Sequence, residues 1–563
     1  LSKRKKNKSP KKQIAPLIIS PAEKAEAWFG RNGKWVLLLG WGVFIGFYLS
    51  LASDELGGVL GGDNARYLML ARSLAEHQSY RDWYLPGAPA HTQYPFLFPL
   101  ILSVFAGTSR EVFYSHLMIQ FLASLVPLFL CAWARLEGES RLKSILIFFL
   151  AGSFPSWYSF LLNLLTEPVF MFFMFLTIFI LSYAMKRGFD IYLAILLSLS
   201  VLASAMVREA GLVLFVALFL GIILDSRLRK VRVAKISLAT MLAAVFILGW
   251  GGWTVRNMLT GEGGFYFKQL LEKNPYQPEL GLINFGDLLE RIRSNLLLHL
   301  PHIGGFAFPA WIFKTQSSLL TVSGFFFAVI LLGLVSRIRA RNLAVELIFV
   351  SMFGLSLVWF FWDDRFSLPV LPLAVFYFIK GVEAALKFLK ARTQSATIAI
   401  VIALALWQMG FMVWLCVKYH DRQMYPETPV KVEGYGEWVK PVLDISKYSN
   451  YWKFSRQFWE TTADWIVLQK VGREILPKDA LVASRKPTLT WYFADRKATW
   501  YRYGVRPEEE WEFFRNKKFS HVLISSSNRE LVEMVKAYPD NFKFLAVIQR
   551  SGLGIAQVEY PRE

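Results

Sequence analysis

The residues of this chain that could do chemistry are a few charged groups at the edges of long apolar runs. Asp63 stands in Gly-Gly-Asp-Asn-Ala-Arg-Tyr, Glu167 in Leu-Thr-Glu-Pro, and Arg208 and Glu209 in Val-Arg-Glu-Ala-Gly. Arg256 stands in Trp-Thr-Val-Arg-Asn, and Asp364 and Arg365 in Asp-Asp-Arg-Phe-Ser. A carboxylate can take the proton of an attacking hydroxyl or amine. Arginines can hold a phosphate and stabilise the charge that grows on it as it leaves. Together the two residue types suit a displacement whose leaving group is a phosphate. Each residue also has a plainer use. Asp63 could cap the helix that follows it, and Glu167 before Pro168 could be an ordinary acid of a first helical turn. Arg208–Glu209 and Asp364–Arg365 could be local ion pairs, and Arg256 could extend to lipid headgroups.

The elements that must position these groups are membrane helices. Hydrophobic residues make up 54% of the chain and charged residues only 19%. The apolar residues form runs such as Trp35 to Leu51, Val169 to Leu181, Ile236 to Leu248 and Ala396 to Val413. A helix needs about 20 apolar residues to cross a bilayer's hydrocarbon core. The net charge of +21 sits in the first twelve residues and in short clusters between apolar runs. That is the bias of cytoplasmic loops in a membrane protein and not a nucleic-acid footprint. Cys131 and Cys416 lie in apolar segments and give neither a disulfide framework nor metal-ligand spacing. No cleavable signal is expected at Trp35 to Leu51.

With the basic clusters at 3–12, 135–143, 186–187, 227–235, 337–341 and 387–392 on one side, a consistent path has about eleven crossings. They fall near 35–53, 111–134, 141–163, 167–185, 189–207, 211–225, 236–256, 319–336, 343–362, 366–385 and 395–416. Gln93 to Gly107, with Pro95 and Pro99, is expected to enter as a half-helix without crossing. The expectation is a polytopic α-helical membrane protein with a basic cytoplasmic tail at 1–34 and a transmembrane domain at 35–417. Its outer loops would be 53–110 and 257–318, the latter containing Tyr276, His299, His302 and Lys314. Residues 418–563 would form an extracytoplasmic α/β domain. Its helices are expected over Asp464 to Ile475 and Arg529 to Tyr538. Strands are expected at Ala480 to Ser484, His521 to Ile524, Phe542 to Gln549 and Ile555 to Tyr560. This topology gathers Asp63, Glu167, Arg208, Arg256 and Asp364–Arg365 at one outer interface, although they are spread over three hundred residues. Ionisable residues at such positions are functional candidates, and elaborated loops on one face locate the work there.

At these residues the chain resembles the GT-C class of integral-membrane glycosyltransferases, and within it the protein O-mannosyltransferase and aminoarabinose-transferase superfamily. The similar segments are residues 61–74, Gln-Tyr-Pro-Phe-Leu-Phe-Pro-Leu (93–100), 165–168, 207–212, 253–257 and 364–372, within a span of roughly 35–416. The resemblance implies a dolichyl- or undecaprenyl-phosphate sugar donor and a site on the non-cytoplasmic face of a bacterial plasma membrane. Asp63 would be the base, and Arg256 and Arg365, with Arg66 or His91, would hold the donor phosphate. Glu167, Arg208 and Asp364 would support the acceptor pocket. The acceptor would be a lipid, a glycan or a protein. Many relatives have Asp-Glu where this chain has Asp63-Asn64, so a divalent metal is not supported and the cofactor is unknown. Two other classes fit the same outline: a transporter or flippase of lipid-linked glycans, which would place polar groups at mid-membrane in paired repeats, and a non-catalytic scaffold.

Overall fold

The computed structural model describes residues 21–561 apart from 58–61, 189, 225–231, 262–264, 276, 309–311, 340–342, 391–392, 421–423, 426–428, 437, 440–442, 445–455, 503 and 526–527. The basic stretch 3–12, Gly61, Tyr276 and parts of the clusters at 227–235, 337–341 and 387–392 lie outside the described residues.

The first part of the chain is helical. It runs through α1 (Pro21–Ser50), α2 (Asp63–His77), α3 (Leu97–Ser103), α4 (Glu111–Leu136), α5 (Arg141–Ser153), α6 (Ser156–Leu161), α7 (Glu167–Arg187), α8 (Ile191–Val207) and α9 (Gly211–Leu224). It continues through α10 (Arg232–Thr260), α11 (Phe265–Leu271), α12 (Phe285–Gly304), α13 (Gln316–Arg339), α14 (Ala344–Val358), α15 (Asp364–Ser367), α16 (Leu371–Phe388) and α17 (Thr393–His420). Among the described residues, seven helical stretches are long and apolar enough to cross a membrane. They lie in α1, α4, α7, α10, α13, α15–α16 and α17. The helices α8, α9 and α14 are apolar but shorter. The protein is an integral membrane protein.

Several boundaries differ from the sequence expectation. The run 141–163 is two helices, because Pro155 lacks an N–H and the chain turns extended at Phe154. Helix α1 begins at Pro21, so part of the expected tail is helical. The segment 257–318, expected as an outer loop, is not a plain loop. It contains the 20-residue α12, started by a reciprocal cap in which Asn284 and Asp287 satisfy each other's backbone N–H groups. Helix α3, at seven residues, is too short to cross.

The helices pack around a continuous apolar core that includes Trp133, Trp157, Tyr48 and Tyr377, all fully buried. Helix α13 lies along α16 at very close range. A Cβ on Gly333 would meet the Tyr377 carbonyl at 1.9 Å, and one on Gly381 would meet the Val329 carbonyl at 1.8 Å. Small residues are what let membrane helices approach this closely. Large apolar side chains such as Leu39, Leu248, Leu406 and Val417 point outward, as lipid-facing surface does.

The C-terminal part is α/β. Two short antiparallel pairs, β1 (Met424–Tyr425) with β4 (Leu443–Asp444) and β2 (Val430–Lys431) with β3 (Trp438–Val439), precede α18 (Arg456–Ile475). Then come β5 (Leu481–Ala483), α19 (Pro487–Ala494), β6 (Lys497–Thr499), α20 (Pro507–Lys517), β7 (His521–Ser525), α21 (Arg529–Ala537), β8 (Phe542–Ile548) and β9 (Leu553–Val558). The last five strands form one sheet in the order β6-β5-β7-β9-β8, parallel among β6, β5 and β7 and antiparallel at β9. The expected strands and the helices α18 and α21 are present, while α19, β6 and α20 were not anticipated. Helix α19 packs on α2, and the Ala498 N–H donates to the Tyr84 carbonyl at 2.8 Å. The domain is therefore seated on the segment between α1 and α4.

Candidate active site

Asp63 is the first residue of α2. The N-cap is Gly62, at φ 80°, and no side chain caps the helix, so the carboxylate is not spent on the backbone. Instead Tyr94 Oη donates to Asp63 Oδ1 at 2.9 Å, and Arg365 Nη1 donates to Asp63 Oδ2 at 3.1 Å. Each carboxylate oxygen can accept more than one hydrogen bond. The side chains of Asp63 and Arg365 keep 28% and 23% exposure, so both remain reachable.

Arg365 comes from the short α15, where the Asp363 side chain accepts from the Arg365 backbone N–H at 3.0 Å. Its Nε lies 4.0 Å from Glu167 Oε1. Glu167, fully buried at the start of α7, sits where the positive end of the helix dipole favours an acid. It pairs with Arg208, which follows the end of α8. The local ion pairs that were the plainer use of these residues are thus not the ones formed. Arg208 binds Glu167 rather than Glu209, and Asp364 binds His302 at 2.5 Å rather than Arg365. The outcome is a row of alternating charge, Asp63–Arg365–Glu167–Arg208, assembled from four separate elements.

A cavity of about 400 Å³ opens on this row. Its polar end contains Asp63, Gln93, Thr166, Arg208, Glu209 and Arg365. The remaining walls are largely apolar, with Leu212 and Val213 of α9, Met352 and Leu355 of α14, and Trp359, Phe360 and Phe361 beyond it. An amphipathic ligand with a charged head and an apolar tail fits such a division.

Arg66, His91 and Arg256 do not line this cavity. They hold together the segment that follows α2. His91 is fully buried. The Tyr94 backbone N–H donates to its Nε2 at 2.8 Å, so the proton must sit on Nδ1, which donates to Asp82 at 2.9 Å. Burial pushes the imidazole down to about 4. Arg66 reaches the same Asp82 at 3.3 Å and Gln93 at 2.6 Å. Burial alone would raise the Asp82 carboxyl, but the His91 hydrogen bond and the Arg66 charge outweigh it and hold it below the usual range. Arg256 donates to the His91 and Tyr80 carbonyls and does not line the cavity. These three residues, expected to hold the donor phosphate, are thus placed outside the cavity lining, with hydrogen bonds inside the protein that position the segment carrying Tyr94. Asp364 is likewise absent from the cavity wall. Sequence reasoning missed Asp82, the anchor of this cluster, and Tyr94, whose hydroxyl reaches Asp63. The only signal for Tyr94 was its place in the Gln-Tyr-Pro segment.

The Asn64 amide beside Asp63 donates to the Leu56 carbonyl at 2.8 Å, and among the described residues no three His, Cys, Asp or Glu side chains converge as ligands.

No known sequence family matches the chain, and no curated protein matches it in sequence. Solved structures do match in fold. The oligosaccharyltransferase of Archaeoglobus fulgidus, tethered to an acceptor peptide, aligns with 95% of this chain and 75% of its own at 12% identity and a TM-score of 0.55. The archaeal oligosaccharyltransferase AglB from the same organism, in complex with an inhibitory peptide and a dolichol-phosphate, aligns with 88% of this chain and 70% of its own at 12% identity and a TM-score of 0.53. ArnT from Cupriavidus metallidurans, bound to undecaprenyl phosphate, aligns with 94% of this chain and 100% of its own at 11% identity and a TM-score of 0.55. At these identities the likeness is one of fold, and the chain shares the fold of these solved structures.

Proposed function

We propose that the protein transfers a sugar from a polyprenyl-phosphate carrier to a hydroxyl or amine of a lipid, glycan or protein acceptor. The reaction takes place at the non-cytoplasmic face of a bacterial plasma membrane, with the N-terminus in the cytoplasm. Sugar nucleotides are made in the cytoplasm and do not cross bilayers unaided, so an outer-face transferase draws on a lipid-carried donor. The observation that carries the reading is the shared cavity: the Asp63 carboxylate and the Arg365 guanidinium face one space that is also lined by Arg208 and by a largely apolar wall. The solved structures of similar fold that hold dolichol-phosphate or undecaprenyl phosphate add support.

In this reading the lipid phosphate takes over the exposed edge of Arg365, aided by Arg208, and the polyprenyl chain lies against the apolar wall. Asp63, no longer committed to Arg365, accepts the acceptor's proton as the acceptor's oxygen or nitrogen bonds to the anomeric carbon. The bond from that carbon to the phosphate oxygen breaks, and the polyprenyl phosphate leaves with its charge on Arg365. One displacement inverts the anomeric centre. Glu167, buried and paired to Arg208, fixes the cation's position.

The test is transfer by the purified protein from radiolabelled undecaprenyl-phosphate sugars to a membrane extract. Wild type should label an acceptor, and Asp63→Asn should lower the rate by about 10²- to 10⁴-fold, the usual worth of a positioned base. Melting behaviour and undecaprenyl-phosphate binding should be unchanged. Near-normal turnover in that variant would remove Asp63 from the mechanism. Passage of the labelled lipid across vesicles without covalent transfer would favour a flippase instead.

A further inference from the structure

One acid at the cavity has no part in the chemistry above. Glu209 lies on the turn between α8 and α9 and lines the cavity. It makes no side-chain hydrogen bond or ion pair with any other described residue. Arg208 beside it is already committed to Glu167 and Thr166. Ala210, Leu212 and Val213 line the same cavity, as do Trp359, Phe360 and Phe361. Burial, with no opposing charge, pushes its carboxyl up to about 8. A half-buried carboxyl without a protein partner is a cost to the fold. A ligand that hydrogen-bonds to it removes that cost, and a site built this way rejects analogues lacking the matching group.

We infer that Glu209 reads the sugar of the donor, accepting or donating a hydrogen bond to a ring hydroxyl while the faces of Trp359 and Phe360 cover the ring. This rests on the reading of the site as a polyprenyl-phosphate-sugar site and names the group that recognises the sugar. Glu209 shares its turn with Arg208, at the junction of the charged row and the apolar wall. A lipid whose phosphate sits on Arg365 and Arg208 carries its sugar past this turn. A neutral carboxyl near pH 7 also adds no repulsion against the phosphate, which an ionised third acid would.

Two ligands separate this role from a structural one. Undecaprenyl phosphate carries the phosphate and the chain but no sugar, whereas an undecaprenyl-phosphate glycoside carries all three. With full-length protein in nanodiscs, binding of both is measured for wild type, Glu209→Leu and Glu209→Gln. The glycoside is the one wild type uses fastest from a hexosyl and pentosyl panel. Glu209→Leu should bind the glycoside about tenfold to a hundredfold more weakly, the worth of one hydrogen bond to such a group. It should bind undecaprenyl phosphate as wild type does, and Glu209→Gln should recover most of the loss. Equal weakening for both ligands would overturn the proposal, since Glu209 would then serve the phosphate or the fold. So would unchanged glycoside binding with a raised KM for the acceptor. Failure of the underlying reading looks different: wild type itself would bind neither lipid and transfer nothing.

Discussion

The two ends of the helix bundle both gather charges, and they do so in opposite ways. At the end away from the cavity, Arg337 of α13 is held by Glu346 of α14 at 2.9 Å and by Glu137, just after α4, at 2.5 Å. Lys143 of α5 and Lys380 of α16 are shared between Glu139 and Glu383. Three cations thus bind four acids, and the side chains of Glu137, Glu139 and Glu346 are at most 5% exposed. This is a set of clasps joining five segments. At the cavity end, the pair Asp63–Arg365 is about a quarter exposed and Glu209 has no partner among the described residues. Charge at a helix end is therefore not a sign of function in itself. Hydrogen-bonding capacity left over beside a space is the better sign, because an unspent buried group is a cost that only a ligand offsets.

Removing one cation from each end tests this contrast. Arg337→Met leaves Glu137 and Glu346 facing each other without their counter-ion. Breaking a buried pair in this way costs about 3–5 kcal/mol. Melting of the purified protein should fall steeply, while the fraction that stays folded transfers sugar at the wild-type rate. A variant that melts normally but has lost activity would reverse the assignment of the two ends. Arg365→Gln is the mirror case. Transfer should fall by about 10²- to 10³-fold, as when one preorganised donor to a developing charge is removed, and undecaprenyl phosphate should bind more weakly. Melting should change little, because Glu167 keeps Arg208. If Arg365→Gln were as unstable as Arg337→Met, the outer pair would be another clasp.

How much of this could be read beforehand follows from what each element needs. The long helices α4, α7, α10, α13 and α17 were legible because crossing a bilayer demands an unbroken apolar run. Helix α12 was not. It carries Glu290, Arg291 and Arg293 between its leucines, so its pattern is that of a surface helix and no apolar run announces it. In the C-terminal domain, α19 and β6 are eight and three residues long, and segments that short take their form from tertiary contacts. The convergence of Asp63, Glu167, Arg208 and Arg365 followed from placing helix ends at one depth. The pairings within it did not, since adjacency in sequence suggested Arg208–Glu209 and Asp364–Arg365. The binding of His91, Arg66 and Arg256 into the loop depends on Asp82 and on backbone carbonyls, contacts that no spacing rule announces.

That loop cluster supplies an intermediate case, a buried charge set whose stability depends on pH. The His91 imidazole sits at about 4 in the folded protein, below the usual 6.5 or so. Above pH 6.5 it is neutral folded or unfolded and the full stability is present. As pH falls from 6.5 toward 4, the unfolded chain takes up a proton that the folded one refuses, so stability drains away. The melting curve of wild type should thus worsen over this window more than that of His91→Gln. Parallel pH profiles for the two proteins would mean that His91 is not held neutral by its burial.

The smallest effect bears on how the C-terminal domain joins the cavity end. Gly62 turns left-handed immediately before Asp63, and its carbonyl accepts from Thr488 Oγ1 of α19 at 3.1 Å. A Cβ on Gly62 would meet that same oxygen at 2.9 Å, so glycine is needed here both for its φ and for the close approach. Thr488 thereby fixes the peptide from which the carboxylate projects, and it acts on the reaction only through that peptide. Thr488→Val keeps the shape and removes the hydroxyl, at a cost of about 0.5–1.5 kcal/mol. Turnover should fall severalfold with little change in donor affinity, and Thr488→Ser should restore it. If Thr488→Val instead weakened donor binding and left turnover alone, α19 would be bracing the lipid pocket rather than the carboxylate. The C-terminal domain would then belong with the clasps at the far end of the bundle.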